Sequence, residues 1–424
     1  MASTLAKISH LARIQPFRAL WAARSASALG ESTVGVVTAF ALFEAGGSVG
    51  DLGVLLAIGT IGRVCLLPLA GTFADRYPRR IQMMGADVVR AAVQVVVGVL
   101  LLQGNASVGT LIVGYAVLCV ASAFFDPASS GLVPQAVAKE DLQDANAVMT
   151  VTESIAMMSG PAVAALLVAF SSPGAAYLFD AGTYVVSAIC LLHVVVRPAE
   201  RPRETVRAEL RQGWAEVAAR PWFWQNLLAH GSWNFANAAM FVLGPEWARR
   251  TAGGVGAWGI VGAALSAGLI AGGLLVLRVR PRRPLVVGNL ALLTGCLPLL
   301  ALAVNAPVAV VAAAAFVGMG GTALLNGLWV STVQALVPEQ QISRVMSYDW
   351  LVSLASVPLG YALAGASFES IGDTQTLVAA AAVIVVTCAP VAFLPSVRAV
   401  RYVDGALVTT ATDGVTPAAS TAEA

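Results

Sequence analysis

The stretch that decides the fold is Gly71-Thr-Phe-Ala-Asp-Arg-Tyr-Pro-Arg-Arg80, a decamer in which charge is concentrated between two apolar segments. These segments run from Leu52 to Ala70 and from Val88 to Leu102. Because lipid accepts only backbone whose polar groups are paired internally, both segments are predicted to be transmembrane helices. The decamer is then a tight turn between them, and it indicates a multi-pass membrane protein.

The composition of the 424-residue chain leads independently to the same class. Hydrophobic residues make up 58% of the chain and charged residues 11%, and the mean hydropathy is +0.79. A soluble domain cannot bury so much apolar surface, so we expect it to face lipid. A net charge of only +2 gives no indication of a nucleic-acid partner. The five cysteines form no CxxC pair, and neither a metal site nor a disulfide is expected.

Twelve windows of about 20 mostly apolar residues, the length that spans the hydrocarbon core, can be placed along the chain. They lie at 19–43, 50–73, 82–103, 108–132, 145–170, 174–196, 223–247, 255–279, 284–304, 306–331, 344–368 and 374–395. The predicted fold class is therefore an all-α membrane protein with twelve transmembrane helices. Its predicted parts are an N-terminal six-helix bundle at 1–196, a cytoplasmic linker at 197–222, a C-terminal six-helix bundle at 223–396 and a disordered cytoplasmic tail at 397–424.

The distribution of charge predicts the orientation, and a faint repeat predicts symmetry. Arginine and lysine collect in alternate loops, which places both termini in the cytoplasm by the positive-inside rule. Two lysines beside abundant arginine, alanine and glycine are typical of a GC-rich bacterial genome, so we expect a bacterial plasma (inner) membrane. Leu132-Val-Pro134 recurs as Leu336-Val-Pro338, which favours two pseudo-symmetric bundles of the kind found in transporters.

Several short motifs give the chain a family resemblance that extends up to the tail. Besides the decamer they are Asp87-Val-Val-Arg90, Phe125-Asp-Pro-Ala128, Asp144-Ala-Asn-Ala147, Gly160-Pro161 and Phe179-Asp-Ala181. Together they resemble the major facilitator superfamily, and within it the branch of enterobactin-type siderophore exporters and macrolide efflux proteins. The resemblance implies alternation between inward-open and outward-open states and export in exchange for protons, as in antiporters of multidrug resistance.

The resemblance also implies a conformational latch at the cytoplasmic end. Asp75 would face the positive end of the eleventh helix, and Arg79 would pair with Asp126. The full set of latch residues is Gly71, Asp75, Arg76, Arg79, Arg80 and Asp126. The alternative is that these charges are solvated topology determinants. The C-terminal half has Arg278 to Arg283 but no matching aspartate, so a second latch is not expected.

Carboxyl groups inside the predicted spans are candidates for proton coupling. No phosphate-binding GxxxxGK[ST] loop occurs, so we expect the proton gradient to supply the energy and no cofactor to be used. Glu31 lies about twelve residues into the first span, roughly 18 Å deep, where an ionised group is costly. It is the first candidate, followed by Glu153 and Asp180, for which hydrogen bonding between helices is the alternative. Arg90 also needs a partner, and Asp87 lies one turn away from it.

A polar patch in the seventh span is the predicted substrate contact. It consists of His230, Trp233, Asn234 and Asn237, with Asn326 and Trp329 in the tenth span as further candidates. Hydrogen bonding between helices is the alternative role for the asparagines. Such a lining suits a large amphipathic molecule better than a sugar, whose hydroxyls need many polar partners.

These features predict a secondary transporter rather than an enzyme. Its expected partners are a hydrophobic small molecule such as an antibiotic, drug or siderophore, together with protons and membrane lipids, and we expect a monomer. One alternative keeps the fold and changes the cargo to a lipid or lysophospholipid, which would be flipped without a pH gradient. The other is a transport-inactive sensor or scaffold, whose activity Glu31→Gln would leave intact.

Overall fold

The structure of the protein is a computed structural model, and most of its described residues lie in long helices. It describes residues 9–138, 141–194, 214–251, 253–276, 278–403 and 406–409. Lys139, most of the predicted linker and the tail from residue 410 lie outside the described residues.

Most of the helices follow one another with short turns between them, whereas the segment between α6 and α7 lies largely outside the described residues. They are α1 Gln15–Glu44, α2 Val49–Arg76, α3 Arg79–Leu102, α4 Val108–Ala136, α5 Leu142–Phe170, α6 Pro173–Leu192, α7 Pro221–Arg250, α8 Gly254–Val276, α9 Pro284–Leu292, α10 Cys296–Ala303, α11 Val308–Leu336, α12 Glu339–Ile371, α13 Asp373–Phe393 and the short α14 Pro395–Ala399. A 3₁₀ turn at Leu293–Gly295 joins α9 to α10. The ninth predicted span is therefore one membrane-length segment with a local break.

Among the described residues, eleven helical segments are long and apolar enough to cross a membrane. With α9 and α10 taken together, they correspond to every predicted span except the seventh. The seventh is α7, a helix of 30 residues in which His230, Asn234 and Asn237 lower the hydropathy. Large apolar side chains such as Val113 and Leu359 are exposed, as lipid-facing surface requires. The predicted all-α membrane class is confirmed.

Polar residues in the turns fix where helices begin. The Ser48 hydroxyl accepts the N–H of Asp51, and the Asp51 carboxylate accepts the N–H of Ser48 at 2.8 Å, which is a capping box at the start of α2. The Ser107 hydroxyl likewise accepts a backbone N–H at the start of α4. The preceding turns contain Gly46 and Gly104 at positive φ, where a side chain would be strained. These turns reverse the chain between consecutive helices.

The first of two compact units contains residues 1–202, 241–266 and 361–372. Its main helix contacts join α3 to α6, α2 to α4, and α1 to both α5 and α6. Phe17, Leu20, Met83 and Phe125 belong to a buried apolar cluster in this unit. Arg90 and the three proton-coupling candidates of the sequence analysis all lie in this unit.

The second unit contains residues 203–240, 267–360 and 373–424. Its main contacts join α9 to α11 and α13, and α10 to α13. Grouping by contacts assigns parts of α7, α8 and α12 to the first unit, and the bundle boundaries at 1–196 and 223–396 stay a prediction. Long helices bring distant parts of the chain side by side, so a compact unit can contain residues that are far apart in the sequence.

The structure differs from the disorder predicted from residue 397. After α14 the chain forms two antiparallel strands, β1 Val400–Val403 and β2 Ala406–Thr409. Val400 is fully buried, and the N–H of Tyr402 donates to the carbonyl of Arg282 at 2.9 Å. These contacts order the start of the predicted tail on the second unit.

Replacing Gly53 by valine is expected to lower the stability of the protein, because α2 and α12 leave no space for a side chain there. A Cβ at this position would lie 2.6 Å from the carbonyl oxygen of Tyr361, a backbone atom that cannot rotate away. Such overpacking costs about 1–3 kcal/mol. Gly35→Val is the matched control, since a Cβ at Gly35 meets nothing within 4 Å. Thermal unfolding in detergent with equal midpoints for both variants would contradict this packing.

Candidate functional site

Four ionisable side chains from α1, α3 and α6 form what we call the Arg90 network: Glu31, Asp87, Arg90 and Asp180. The fully buried Arg90 guanidinium bonds to the Glu31 carboxylate at 2.6 Å and pairs with Asp87 one turn earlier on α3. Asp87 is also buried and accepts a hydrogen bond from Ser187 of α6 at 2.7 Å. The predicted pairing of Arg90 with Asp87 is confirmed, and charge-assisted bonds tie α1, α3 and α6 together.

Two aromatic rings hold the arginine in place. The carbon at the centre of the Arg90 guanidinium lies 4.2 Å from the ring centroid of Phe125 and 4.3 Å from that of Tyr184. Each contact is within the range of a cation–π interaction, which is stronger where water is excluded. Arg90 is therefore a fixed positive charge in the interior of the first unit.

Asp180 is bonded by uncharged groups and not by the guanidinium. Gln94, which lies one turn along α3 from Arg90, donates to the Asp180 carboxylate. The Thr183 hydroxyl donates to the same carboxylate at 3.3 Å. Gly30 allows the close approach of α1, since a Cβ there would overlap the Asp180 carboxylate. The network thus contains three carboxyl groups and one guanidinium.

Glu31 differs from its partners in accessibility. Its side chain is 45% exposed, whereas the side chains of Arg90 and Asp87 are 0% exposed. A carboxylate that contacts a buried charge on one side and is not covered by protein on the other can take up or release a proton more readily than its fully buried partners. Glu31 is therefore the member of the network best placed for reversible protonation.

Glu153, the second proton-coupling candidate, is also paired. It forms an ion pair with Arg24 of α1. Arg24 also donates a hydrogen bond to the Ser129 hydroxyl of α4 at 2.7 Å. Close by, the Trp21 indole donates to the Thr152 hydroxyl at 2.9 Å. These contacts hold α5 to α1 and α4, as expected for the alternative role in helix association.

The structure gives Asp126 a different partner from the predicted Arg79. Asp126 pairs with Arg63 of α2, and Arg79 donates to the carbonyl of Gly131. Gly131 follows Asp126 by five residues, which is about 7.5 Å along α4. The Arg79 guanidinium is thus held further along α4, and Arg63 lies opposite Asp126.

The other latch residues are described only in part. Arg80 donates to the carbonyl of Val194 at 3.1 Å, just beyond the end of α6. Gly71 lies within α2, and the side chains of Asp75 and Arg76 are outside the part of the chain that the structure describes. The latch therefore stays a prediction.

In the second unit, three side chains form what we call the Asp349 cluster: His230 of α7, Trp329 of α11 and Asp349 of α12. The His230 Nδ1 lies 3.3 Å from the Asp349 Oδ1, and the Trp329 Nε1 donates to the Asp349 Oδ2 at 3.1 Å. The two rings meet edge to face with 5.0 Å between centroids. The His230 Nε2 is buried, and among the described residues it has no hydrogen-bond partner.

The remaining predicted substrate contacts have different environments. Trp233 is buried beside Gly295 in the turn between α9 and α10. Asn234 donates to the carbonyl of His230 on its own helix at 2.9 Å. Asn237 is buried and Asn326 is exposed. Of the six predicted residues, the structure brings His230 and Trp329 together on one carboxylate.

Sequence reasoning does not single out Asp349, although an ionisable residue within a membrane helix is a functional candidate by default. Asp349 lies near the predicted start of its span and between Tyr348 and Trp350, which is typical of an interfacial position. The useful indication is the pairing of a lone aspartate in the eleventh span with a lone histidine in the seventh. Gln94 and Ser187, which complete the Arg90 network, have no such sequence pattern.

Comparisons with known proteins agree on one family. Residues 20–352 match the family described as Major Facilitator Superfamily. YvqJ of Bacillus subtilis (strain 168), an uncharacterized MFS-type transporter, is 21% identical over 350 residues, which are 80% of this chain and 82% of that protein. Macrolide efflux protein A of Streptococcus pyogenes is 27% identical over 151 residues, which are 36% of this chain and 37% of that protein.

A solved structure shows the same fold. The crystal structure of a bacterial homolog of the human lysosomal transporter Spinster, inward-facing and unoccupied, superposes with a TM-score of 0.70 at 15% sequence identity. The match covers 91% of this chain and 97% of that chain.

Proposed function

Because the chain belongs to the major facilitator superfamily and is a multi-pass membrane transporter, we propose that it exports a hydrophobic or amphipathic small molecule in exchange for protons. The membrane is the bacterial inner membrane, and both termini are cytoplasmic. Transport proceeds by alternating access to the two sides.

The Arg90 network is the main support for the proposed coupling to protons. The carboxyl groups of Glu31 and Asp87 both bond to the Arg90 guanidinium, and the carboxyl group of Asp180 lies in the same interior without a guanidinium of its own. Excess negative charge is costly among apolar helices unless a carboxyl binds a proton. Glu31 is the exposed member, so it takes up the coupled proton. Protonation weakens its bond to Arg90 and loosens the link between α1 and α3. A proton thereby shifts the balance between two arrangements of these helices.

The cargo is inferred from the predicted substrate patch and from a relative. That patch contains few polar groups, which favours an amphipathic ligand over a sugar. The rings of Trp222, Phe223 and Trp329 are buried against one another beside Asp349, with centroid distances of 5.9 and 4.8 Å to Trp329, and they form part of the apolar interior of the second unit. The activity for which one relative is named, macrolide efflux, supports the same class of cargo.

Cells without their own drug pumps are expected to accumulate several-fold less of a macrolide antibiotic when they produce this chain. A protonophore should remove the difference, because it collapses the gradient that drives export. The empty vector is the control, with the level of membrane protein measured in parallel. A difference that survives the protonophore, or movement of lysophospholipid without a gradient in place of macrolide efflux, would count against the proposal.

A further inference from the structure

The geometry of the Asp349 cluster indicates which ring nitrogen of His230 is the basic one. An indole N–H can only donate, so the Asp349 Oδ2 accepts from Trp329. The other carboxylate oxygen faces the His230 Nδ1, and we assign the Nδ1 proton to this contact. In the neutral ring the lone pair is then on Nε2.

The pair of His230 and Asp349 can bind one proton without becoming positively charged. A neutral imidazole beside an ionised Asp349 has a net charge of −1, whereas an imidazolium beside the same carboxylate is neutral overall. A neutral pair is the cheaper one among apolar helices. The Trp329 ring, 5.0 Å away between centroids, lies within reach of a cation–π contact with the imidazolium.

Other charges around the pair are sparse. The sequences of α9, α10 and α11 contain no charged residue. From α13 the titratable group that faces α7 is the Cys388 thiol, whose sulfur lies 3.6 Å from the carbonyl oxygen of Ala229. On α12, Arg344 precedes Asp349 by five residues, and its side chain lies outside the described residues.

The nearest described ion pair on the chain before His230 is at the entry to α7. There Arg220 pairs with Glu216 at 2.6 Å, and each neutralises the other. Arg220 precedes His230 by ten residues, about 15 Å along a helix. Asp349 is therefore the charge in direct contact with the His230 ring.

Access to the pair is narrow. The side chains of His230 and Asp349 are only 7% and 14% exposed. The Nε2 atom itself is buried, so a proton reaches it through small movements of the side chains around it, whereas an amphipathic molecule would require the helices to separate.

From these observations we propose that the Asp349 cluster is a second proton-binding site, in which His230 takes up the proton at Nε2 and Asp349 balances its charge. Its role in transport rests on the proposed proton coupling, whereas proton binding itself does not. The site belongs to the second unit, and Glu31 with its partners belongs to the first. The transporter thus has two separate places for protons.

The chain has three histidines, so His230 can be observed alone. His10 and His193 have exposed side chains, and His10→Gln/His193→Gln leaves His230 as the single histidine. In this full-length variant, purified in detergent with isotopically labelled histidine, the imidazole resonance is followed by NMR from about pH 5 to about pH 9. We expect one titration, and Asp349→Asn should change its midpoint, because the ring then loses the carboxylate that balances its charge.

The outcomes separate the two proposals. A resonance that does not titrate in this range, or a midpoint that Asp349→Asn leaves unchanged, would overturn the proton site. Trp329→Phe provides a second variant should Asp349→Asn not fold, and an unchanged midpoint there would also count against the cluster. Glu31→Gln should leave the titration in place. Proton-independent transport by the unaltered protein would refute the proposed coupling and leave the titration result standing.

A transport measurement tests whether the second site takes part in coupling. In proteoliposomes, His230→Gln is expected to lower the number of protons moved per substrate molecule at least about twofold. The unaltered ratio in a folded His230→Gln protein would show that His230 binds a proton without a role in coupling, and it would overturn that part of the proposal.

Discussion

Arg90→Met is expected to destabilise the protein strongly, because it leaves a buried carboxylate without an ion-pair partner. Methionine keeps much of the side-chain volume but leaves Asp87, which is completely buried, without its compensating charge. Removing one partner of a buried ion pair costs about 3–5 kcal/mol. The stability of a folded domain is about 5–15 kcal/mol, so this is a large part of it. Thermal unfolding in detergent, followed by size-exclusion chromatography, measures the effect.

Two further variants make the result specific. Arg18→Met removes the same charge from an exposed position near the start of α1 and is expected to change the midpoint little. Asp87→Asn/Arg90→Met removes the stranded carboxylate as well, so part of the lost stability should return. A single Arg90→Met variant that unfolds at the temperature of the unaltered protein would refute the structural role of the network.

Glu31→Gln is expected to abolish proton-driven export while the protein stays folded. Glutamine can still accept a hydrogen bond from Arg90, but it cannot bind or release a proton in the working pH range. Uphill transport should fall by about tenfold or more. Exchange of labelled for unlabelled substrate, which needs no proton movement, should continue. Both are measured in proteoliposomes with and without an imposed pH gradient.

Glu44→Gln is the matched control, because Glu44 is an exposed carboxylate at the end of the same helix. It should leave both uphill transport and exchange intact. Loss of exchange together with uphill transport in Glu31→Gln would mean that the residue serves substrate binding or folding. Unchanged uphill transport would exclude Glu31 from coupling altogether.

Most of the fold could be predicted because membrane helices are strongly constrained by sequence. Apolar windows indicated the position of each long helix, and the charged decamer located the turn between α2 and α3. The ends were less accurate: the eleventh span was predicted at 344–368, whereas α12 runs from Glu339 to Ile371. Helices extend beyond the hydrocarbon core into polar surroundings, where hydropathy no longer marks them. The hairpin of β1 and β2 was missed because its short strands depend on contacts with distant residues.

The sites were predictable only where their contacts are local. Asp87 and Arg90 are one turn apart, so their pairing could be inferred from spacing. Glu31 and Arg90 are 59 residues apart, and His230 and Asp349 are 119 apart. No periodicity encodes such contacts, which arise only when the helices pack. For the same reason the sequence indicated Arg79 as the partner of Asp126, where the structure has Arg63.

Proton movement during substrate transport is the direct measure of proton-coupled export. Proteoliposomes containing a pH-sensitive dye are given a gradient of a macrolide and no initial pH gradient. We expect protons to move opposite to the substrate with the unaltered protein and not to move with Glu31→Gln. Substrate flux through the unaltered protein without any pH change, or an equal pH change with Glu31→Gln, would contradict this expectation.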